Sequence, residues 1–431
     1  MTAGSTILLI SFFAGLLFNV PIAIALGISS VLSILLATNL PDVAIVQSLY
    51  GNANNFTLMA VPFFILAGNL MQSGGVSKRL INFAKLLVGS FPGGLGHVAI
   101  LTSMIFAAIS GSGPATVAAL GLIMIPSMVQ AGYDKNYAAA LQAASGGIGV
   151  IIPPSIPMVV FGALTGTSIG ALFAGGFVPG ILIGLMLMAV NYFISVRKGY
   201  IGEKIEKTPL ILLKALKEAS LALLMPVIIL GGIYSGVFTP TESAGVACVY
   251  GFIVGTFVYR EIKLTQFKKI LVDSAIMSAV CMIIMAMSAP FGWMITVENL
   301  PSRLAEIFMA NFNTPIKFLI ACNVLFLFLG CFMSSTAALI IITPIMMPMV
   351  LQMGINPVHF GLIMVTNLEI GMMTPPFGVN LFVACGIAET PIEKVAGKIL
   401  PFVASTVVAL FLITFVPWLV LIVPRLMGMP V

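Results

Sequence analysis

Apolar runs separated by short polar breaks dominate the chain, and a helix crossing a hydrocarbon core needs about 20 apolar residues. Ten such runs predict spanning helices over 4–18, 20–38, 57–73, 136–165, 171–196, 219–235, 241–259, 273–297, 357–388 and 401–423. Two further stretches, 97–130 and 315–352, are too long for one crossing and are interrupted near the middle by small polar residues. The interruption is Ser110-Gly111-Ser112-Gly113-Pro114 in the first and Ser334-Ser335-Thr336 in the second. Both read as re-entrant hairpins that return to the side they left. Such backbone is tolerated at membrane depth only inside protein or beside a wet cavity. Residues 77–91 and 300–312 read as short amphipathic connectors at the two surfaces.

Composition narrows the class. Of 431 residues 60% are apolar and 7% charged, against roughly a quarter charged in soluble domains. The expected fold is an all-α membrane protein; a β-barrel would alternate polar and apolar residues instead. The net charge of +6 is better explained by cytoplasmic loops than by nucleic acid, which is not an expected partner. With ten crossings and two non-crossing hairpins, 16 of the 19 Lys and Arg residues fall on one side, which is therefore cytoplasmic. Both termini are then outside. Cys248, Cys281, Cys322, Cys331 and Cys385 lie in apolar stretches without metal or redox spacing. No Lys or Arg precedes Lys78, so the first span is expected to be retained rather than cleaved as a signal peptide.

The basic loop 197–218 separates two related halves, 1–196 and 219–431. Sliding the sequence by 222 positions without a gap aligns 112–179 with 334–401 and gives fourteen identities. Ile123, Met124 and Pro126 meet Ile345, Met346 and Pro348; Gln130 and Gly132 meet Gln352 and Gly354; Pro153-Pro154 meets Pro375-Pro376. The hairpin mouths open on opposite sides, so the repeat is inverted, as in secondary transporters whose site lies near the pseudo-two-fold axis.

In each repeat the span after the hairpin must break. Gly146-Gly147-Ile148-Gly149 followed by Pro153-Pro154-Ser155, and Gly371-Met372-Met373-Thr374-Pro375-Pro376, cannot continue as helices. Half-helix ends expose carbonyls that suit a hard cation such as Na⁺ and N–H groups that suit a carboxylate. Ser110, Ser112 and Thr116 facing Gly147 and Gly149 form one candidate Na⁺ site. Ser334, Ser335 and Thr336 facing Gly371 and Thr374 form the other. Ser112, Pro154, Ser155, Ser335, Thr336, Glu369 and Pro376 are candidates for substrate binding. The bland alternative is that small residues merely permit close helix packing; repetition at one offset favours function. Glu369 is an intramembrane acid two residues before Gly371, and its repeat counterpart is Gly147; such a group is a functional candidate by default, tuning substrate or ion binding, the alternative being an acid that is simply protonated or snorkels into a cavity. Glu242 reads as a helix cap, and His97 and His359 as interfacial. A serine hydrolase built on Ser112 is rejected, because that nucleophile needs a base in reach and His97 sits at the hairpin mouth. No enzyme activity is expected.

Ser110-Gly111-Ser112-Gly113-Pro114-Ala115-Thr116, Ala131-Gly132-Tyr133-Asp134 and Pro153-Pro154-Ser155 resemble the large membrane subunit of tripartite ATP-independent periplasmic (TRAP) transporters. So do Gly236-Val237-Phe238-Thr239-Pro240-Thr241-Glu242-Ser243-Ala244, Gly354-Ile355-Asn356-Pro357-Val358-His359-Phe360-Gly361 and Ile370-Gly371-Met372-Met373-Thr374-Pro375-Pro376. The resemblance runs from about Pro21 to Pro424, with departures at Glu369, Pro114 and Ser243. It implies an elevator transporter of the bacterial inner membrane. Hairpins and broken helices, 97–165 and 315–388, would move past a scaffold that includes 1–96 and 219–312. It further implies coupling to Na⁺, with two ions expected, and uptake of an organic acid such as sialic acid, a C4-dicarboxylate or a sugar acid. Two partners are implied: a small four-helix membrane subunit, expected as a separate chain, and a periplasmic substrate-binding protein. A self-sufficient Na⁺/carboxylate symporter or antiporter of the same hairpin architecture is the alternative.

Overall fold

A computed structural model describes residues 2–18, 20–38, 41–202, 208–300 and 314–431. In a bilayer a helix satisfies its own backbone, and every regular element among the described residues is helical. The first half runs through α1 (Ala3–Leu17), α2 (Ile22–Ala37), α3 (Val43–Ala53) and a 3₁₀ turn, Phe56–Met59, that leads into α4 (Ala60–Ser73). Then come α5 (Val76–Val88), α6 (Gly94–Ser110), α7 (Gly113–Gln130), α8 (Lys135–Gly146), a 3₁₀ turn over Gly147–Val150, α9 (Ile156–Thr165) and α10 (Ile169–Lys198). The second half comprises α11 (Pro209–Tyr234), α12 (Pro240–Ile253) and a π-helical turn, Val254–Val258. It continues with α13 (Leu264–Val297), α14 (Pro315–Phe332), α15 (Ser335–Gln352), α16 (Pro357–Met372), α17 (Val379–Ala388), α18 (Ile392–Phe415) and α19 (Trp418–Leu426). Nine helices among the described residues are long and apolar enough to cross a membrane.

Both expected hairpins form. α6 and α7 turn at Gly111-Ser112, and both ends of the pair are tied to Tyr200. Gly93 N donates to the Tyr200 carbonyl at 2.9 Å, Asp134 N donates to its hydroxyl at 3.1 Å, and Tyr133 stacks on its ring at 4.2 Å. The second hairpin, α14 and α15, starts where α16 starts. Phe318 lies against Phe360, Asn323 against Asn367 and Gly330 against Gly371, so α14 and α16 run in parallel. The mouths face opposite ends of the molecule. Lys135 Nζ reaches the Glu389 carbonyl at 3.2 Å, which places the first mouth beside the end of α17. Asn356, Pro357 and Val358 share a cavity with Thr165, Thr167 and Ser168, which places the second mouth beside the end of α9. The repeat is inverted.

The connector expected over 77–91 is α5. It buries Leu80, Ile81 and Ala84 and turns Lys78, Arg79 and Lys85 away from the core. The connector expected over 300–312 lies almost wholly outside the described residues. Several elements differ from expectation, α13 and α18 among them, which begin at Leu264 and Ile392, nine residues before the expected 273 and 401. α3 is an unforeseen helix whose polar Gln47, Asn52 and Tyr50 break the apolar pattern. α11 starts at Pro209 rather than near 219, because Thr208 accepts from Ile211 N and caps it there. The last span expected over 401–423 is divided. Pro417 has no N–H to continue the ladder, so Val416 leaves the helical region and α19 begins anew.

Candidate functional site

The first hairpin tip gathers oxygen atoms. α6 stops where Gly111 takes a φ of 62°, a left-handed conformation that glycine adopts without a Cβ penalty. The reversed chain then turns the Ser112 carbonyl toward Thr116. Thr116 Oγ1 donates to that carbonyl at 2.8 Å and lies 2.7 Å from Ser110 Oγ. Ser110 and Thr116 are buried. The broken helix closes over them: an ideal Cβ on Gly149 would lie 2.5 Å from Thr116 Oγ1 and 2.8 Å from the Ser112 carbonyl. Past the prolines, Ile156 N donates to the Gly111 carbonyl at 3.2 Å and fixes the loop to the tip. Ser110, Ser112, Thr116 and Gly149 therefore meet.

The second crossover follows the same plan with a different turn. The repeat counterpart of Gly111 is Met333, for which a positive φ is costly. The chain reverses through extended Met333 and Ser334. The loop is fixed two residues earlier than in the first repeat, Gly378 N donating to the Cys331 carbonyl at 3.2 Å. Gly371 packs backbone to backbone on Gly330. Hydroxyls are less gathered here. Thr374 Oγ1 donates to the Ile370 carbonyl at 2.6 Å, and Ser334 caps α15 by accepting from Ala337 N. Ser335 N approaches Met372 Sδ at 3.3 Å. Ser334 and Pro376 are exposed and Thr336 is half-buried. In the first repeat Pro154 and Ser155 are buried, with Ser155 capping α9 at Met158 N. Both Pro-Pro bonds are cis.

Glu369 sits between the repeats. It lies on α16, 1% exposed, and the sequence places it beside the second break. Its side chain points instead at the first repeat. An ideal Cβ on Gly147 would lie 3.5 Å from Glu369 Cγ and Oε1, and one on Gly113 would collide with Oε1. Gly147 is the repeat counterpart of Glu369, and counterparts touch only near the symmetry axis. Asn380, on α17, donates from Nδ2 to Glu369 Oε1 at 2.6 Å. Sequence reasoning missed Asn380; the available signal was one amide in an otherwise apolar half-helix. It also missed the chain Thr414–Asn323–Asn367 linking α18, α14 and α16.

Three other polar residues singled out in the sequence bond to backbone groups, and both histidines are buried rather than interfacial. Glu242 completes a capping box with Thr239 at the start of α12. His97 and His359 bond to the Pro92 and Ile413 carbonyls, at 3.1 and 2.8 Å. No cluster of three His, Cys, Asp or Glu side chains that could hold a metal ion occurs among the described residues.

Two hairpins and two broken helices in an inverted repeat are an architecture found in membrane transporters. The family described as the DctM component of tripartite ATP-independent periplasmic transporters matches residues 9–419, and the chain belongs to it. A relative in Oleidesulfovibrio alaskensis, an isethionate TRAP transporter permease, is 47% identical over 93% of this chain; the chain spans 63% of that protein's length. A C4-dicarboxylate TRAP large permease and a sialic acid TRAP large permease, both of Vibrio cholerae, are each 41% identical over 96% of this chain. They are covered over 95% and 96% of their lengths. The Alcanivorax borkumensis YdaH transporter has the same fold, with a TM-score of 0.61 and 16% identity over 94% of this chain and 97% of its own. Family and apolar helices together make this chain a multi-pass protein of the inner membrane, and the family is one of transport components, not enzymes.

Proposed function

We propose that the chain is the subunit through which a TRAP system takes up a small organic acid, driven by Na⁺. The observation that carries the reading is the meeting of Ser110 Oγ, the Ser112 carbonyl and Thr116 Oγ1 under Gly149. These are neutral oxygen donors with no competing cation, the chemistry a hard monovalent ion selects. The second ion belongs to the other crossover, with Ser335, Thr336, Gly371 and Thr374. Ser112, Ser335 and the half-helix N–H groups between them receive the anion. No Lys or Arg lies in either break, so the acid is recognised by dipoles and by bound Na⁺. Relatives named for isethionate, C4-dicarboxylates and sialic acid point to small oxyanions as the substrate class. A periplasmic binding protein delivers the solute, and a small membrane subunit completes the scaffold. The hairpins and broken helices of both repeats move together in an elevator step. Two Na⁺ with a monoanion carry one net charge, and about 2.3 kcal/mol per 100 mV then concentrates solute about fifty-fold.

Uptake by proteoliposomes containing both membrane subunits, with the binding protein added, tests this. Replacing Na⁺ by choline should abolish uptake. Thr116→Ala, which removes one oxygen donor, should raise the Na⁺ concentration for half-maximal rate about tenfold, equivalent to about 1.4 kcal/mol. Uptake indifferent to Na⁺ would overturn the coupling. Full-rate uptake of free solute by this chain alone would overturn the tripartite reading.

A further inference from the structure

On the cytoplasmic side a cavity of about 740 Å³ lies between α5, the start of α11 and the π-helical turn after α12. Four cationic side chains line it, Lys78 and Arg79 from α5 and Lys214 and Lys217 from α11, together with Glu218 and Glu261. Arg79 is committed: it donates to the Gly75 carbonyl at 2.9 Å and to Glu261 Oε1 at 2.7 Å, and lies 3.7 Å over the Tyr259 ring. No described carboxylate pairs with Lys78, Lys214 or Lys217. With Arg79 and Glu261 cancelling, three lysines against Glu218 leave a net charge of +2. The wall is fixed at the level of the lysines. Tyr259 Oη donates to the Glu218 carbonyl at 3.0 Å, and Tyr250 Oη to the Leu221 carbonyl at 2.7 Å.

The sequence of α11 says what this charge faces. Lys214, Lys217, Leu221, Leu224 and Ile228 recur at three- and four-residue spacing, so they share one face of the helix. That stripe is basic over its first turn and apolar from Leu221 onward. Leu221 and Val258 line the cavity, and both Val258 and Leu224, a turn further along the span, are exposed. A cationic rim that passes into an exposed apolar helix face matches a ligand with an anionic head and an apolar tail. The cytoplasmic leaflet supplies such a ligand, and its anionic lipids attract Lys and Arg at the membrane surface. A free phosphate would use the lysines and gain nothing from Leu221, Leu224 and Val258.

We propose that this cavity binds the headgroup of one anionic phospholipid of the cytoplasmic leaflet. Its phosphate lies among Lys78, Lys214 and Lys217, and its acyl chains run along Leu221, Leu224 and Val258. The lipid ties α5 of the first half to α11 of the second and holds both at one depth in the bilayer.

Native mass spectrometry of the delipidated complex of both membrane subunits, titrated with phosphatidylglycerol or with phosphatidylcholine of the same chains, tests this. One phosphatidylglycerol should bind more tightly than phosphatidylcholine, and glycerol 3-phosphate at the same concentration should not bind. Lys214→Gln with Lys217→Gln should weaken the bound phosphatidylglycerol about thirtyfold, and Lys78→Gln alone, on the opposite wall, about fivefold. Lys268→Gln with Lys269→Gln removes two cytoplasmic charges that do not line the cavity and should leave the affinity at the wild-type value. Equal affinity for the two lipids overturns the proposal, as does unchanged phosphatidylglycerol affinity in both cavity variants. An equal loss in the Lys268 and Lys269 variant would show general attraction to the basic side and overturn the site. Tight binding of glycerol 3-phosphate would show a phosphate site and overturn the lipid. A phosphatidylglycerol site present in this chain alone and absent from the complex would show that the small subunit fills the cavity, which also overturns it.

Discussion

Gly113 shows how far one hydrogen atom in place of a methyl group can decide a site. It opens α7 and faces the Glu369 carboxylate, which the Cβ of any other residue would strike. Gly113→Ala therefore forces a buried, hydrogen-bonded side chain to move, a change of the kind that costs about 1–3 kcal/mol in a packed interior. Its effect should couple to Glu369. In a cycle of Gly113→Ala, Glu369→Ala and the double variant, the double variant should lose less thermal stability than the two singles added together, because the collision is gone. Strict additivity would mean that the two residues do not meet. The need for a small residue at 113 was not legible in the chain. Glycine beside serine and proline announces a turn, but nothing local tells that an acid 256 positions later, by the numbering, will lie against it. The same holds for Asn380, whose meaning depends on Glu369 being turned toward the first repeat rather than into its own break.

Elements were the most legible scale, because helix breakers act locally. Adjacent prolines interrupt helices wherever they fall, so both broken spans and both hairpin tips follow from Ser, Gly and Pro in apolar runs. The internal repeat extends to the caps. Asp134 accepts from Tyr137 N at 2.8 Å and starts α8; its counterpart 222 positions on, Asn356, accepts from Val358 N and His359 N at 2.9 and 3.1 Å and starts α16. Asn and Asp cap about equally well, and losing such a cap to Ala typically costs about 1 kcal/mol. Asn356→Ala should lower the thermal midpoint of the detergent-solubilised complex, whereas Asn356→Asp should leave it unchanged within error. Equal loss in both variants would show that the amide nitrogen, not the cap, matters at this position. Where element reading failed, the cause was again physical. α3 is too short and too polar to carry a spanning signal. The division at Val416-Pro417 hides in a run whose composition is apolar throughout.

On the scale of the whole molecule, the scarcity of charge and the inverted repeat act together: the few basic residues orient the helices, and the interior is left almost without charge. In the elevator reading, α6–α9 and α14–α17 move past a scaffold that contains α4, α12 and α13. Contacts within either body must persist while contacts between them break. α13 meets α15 where an ideal Cβ on Gly292 would lie 3.6 Å from the Pro344 Cβ, a separation a disulfide spans. α4 meets α12 where a Cβ on Gly251 would lie 3.4 Å from the Leu70 Cβ. The native cysteines are free, so both pairs belong in a cysteine-less background. Oxidising Gly292→Cys with Pro344→Cys should stop uptake, and a reductant should restore it, since that bond ties the moving body to the scaffold. Oxidising Leu70→Cys with Gly251→Cys should leave uptake intact, because that bond lies within the scaffold. If the first pair cross-links fully and uptake continues, α15 does not move past α13, and alternating access must come from rearrangement inside the hairpins instead.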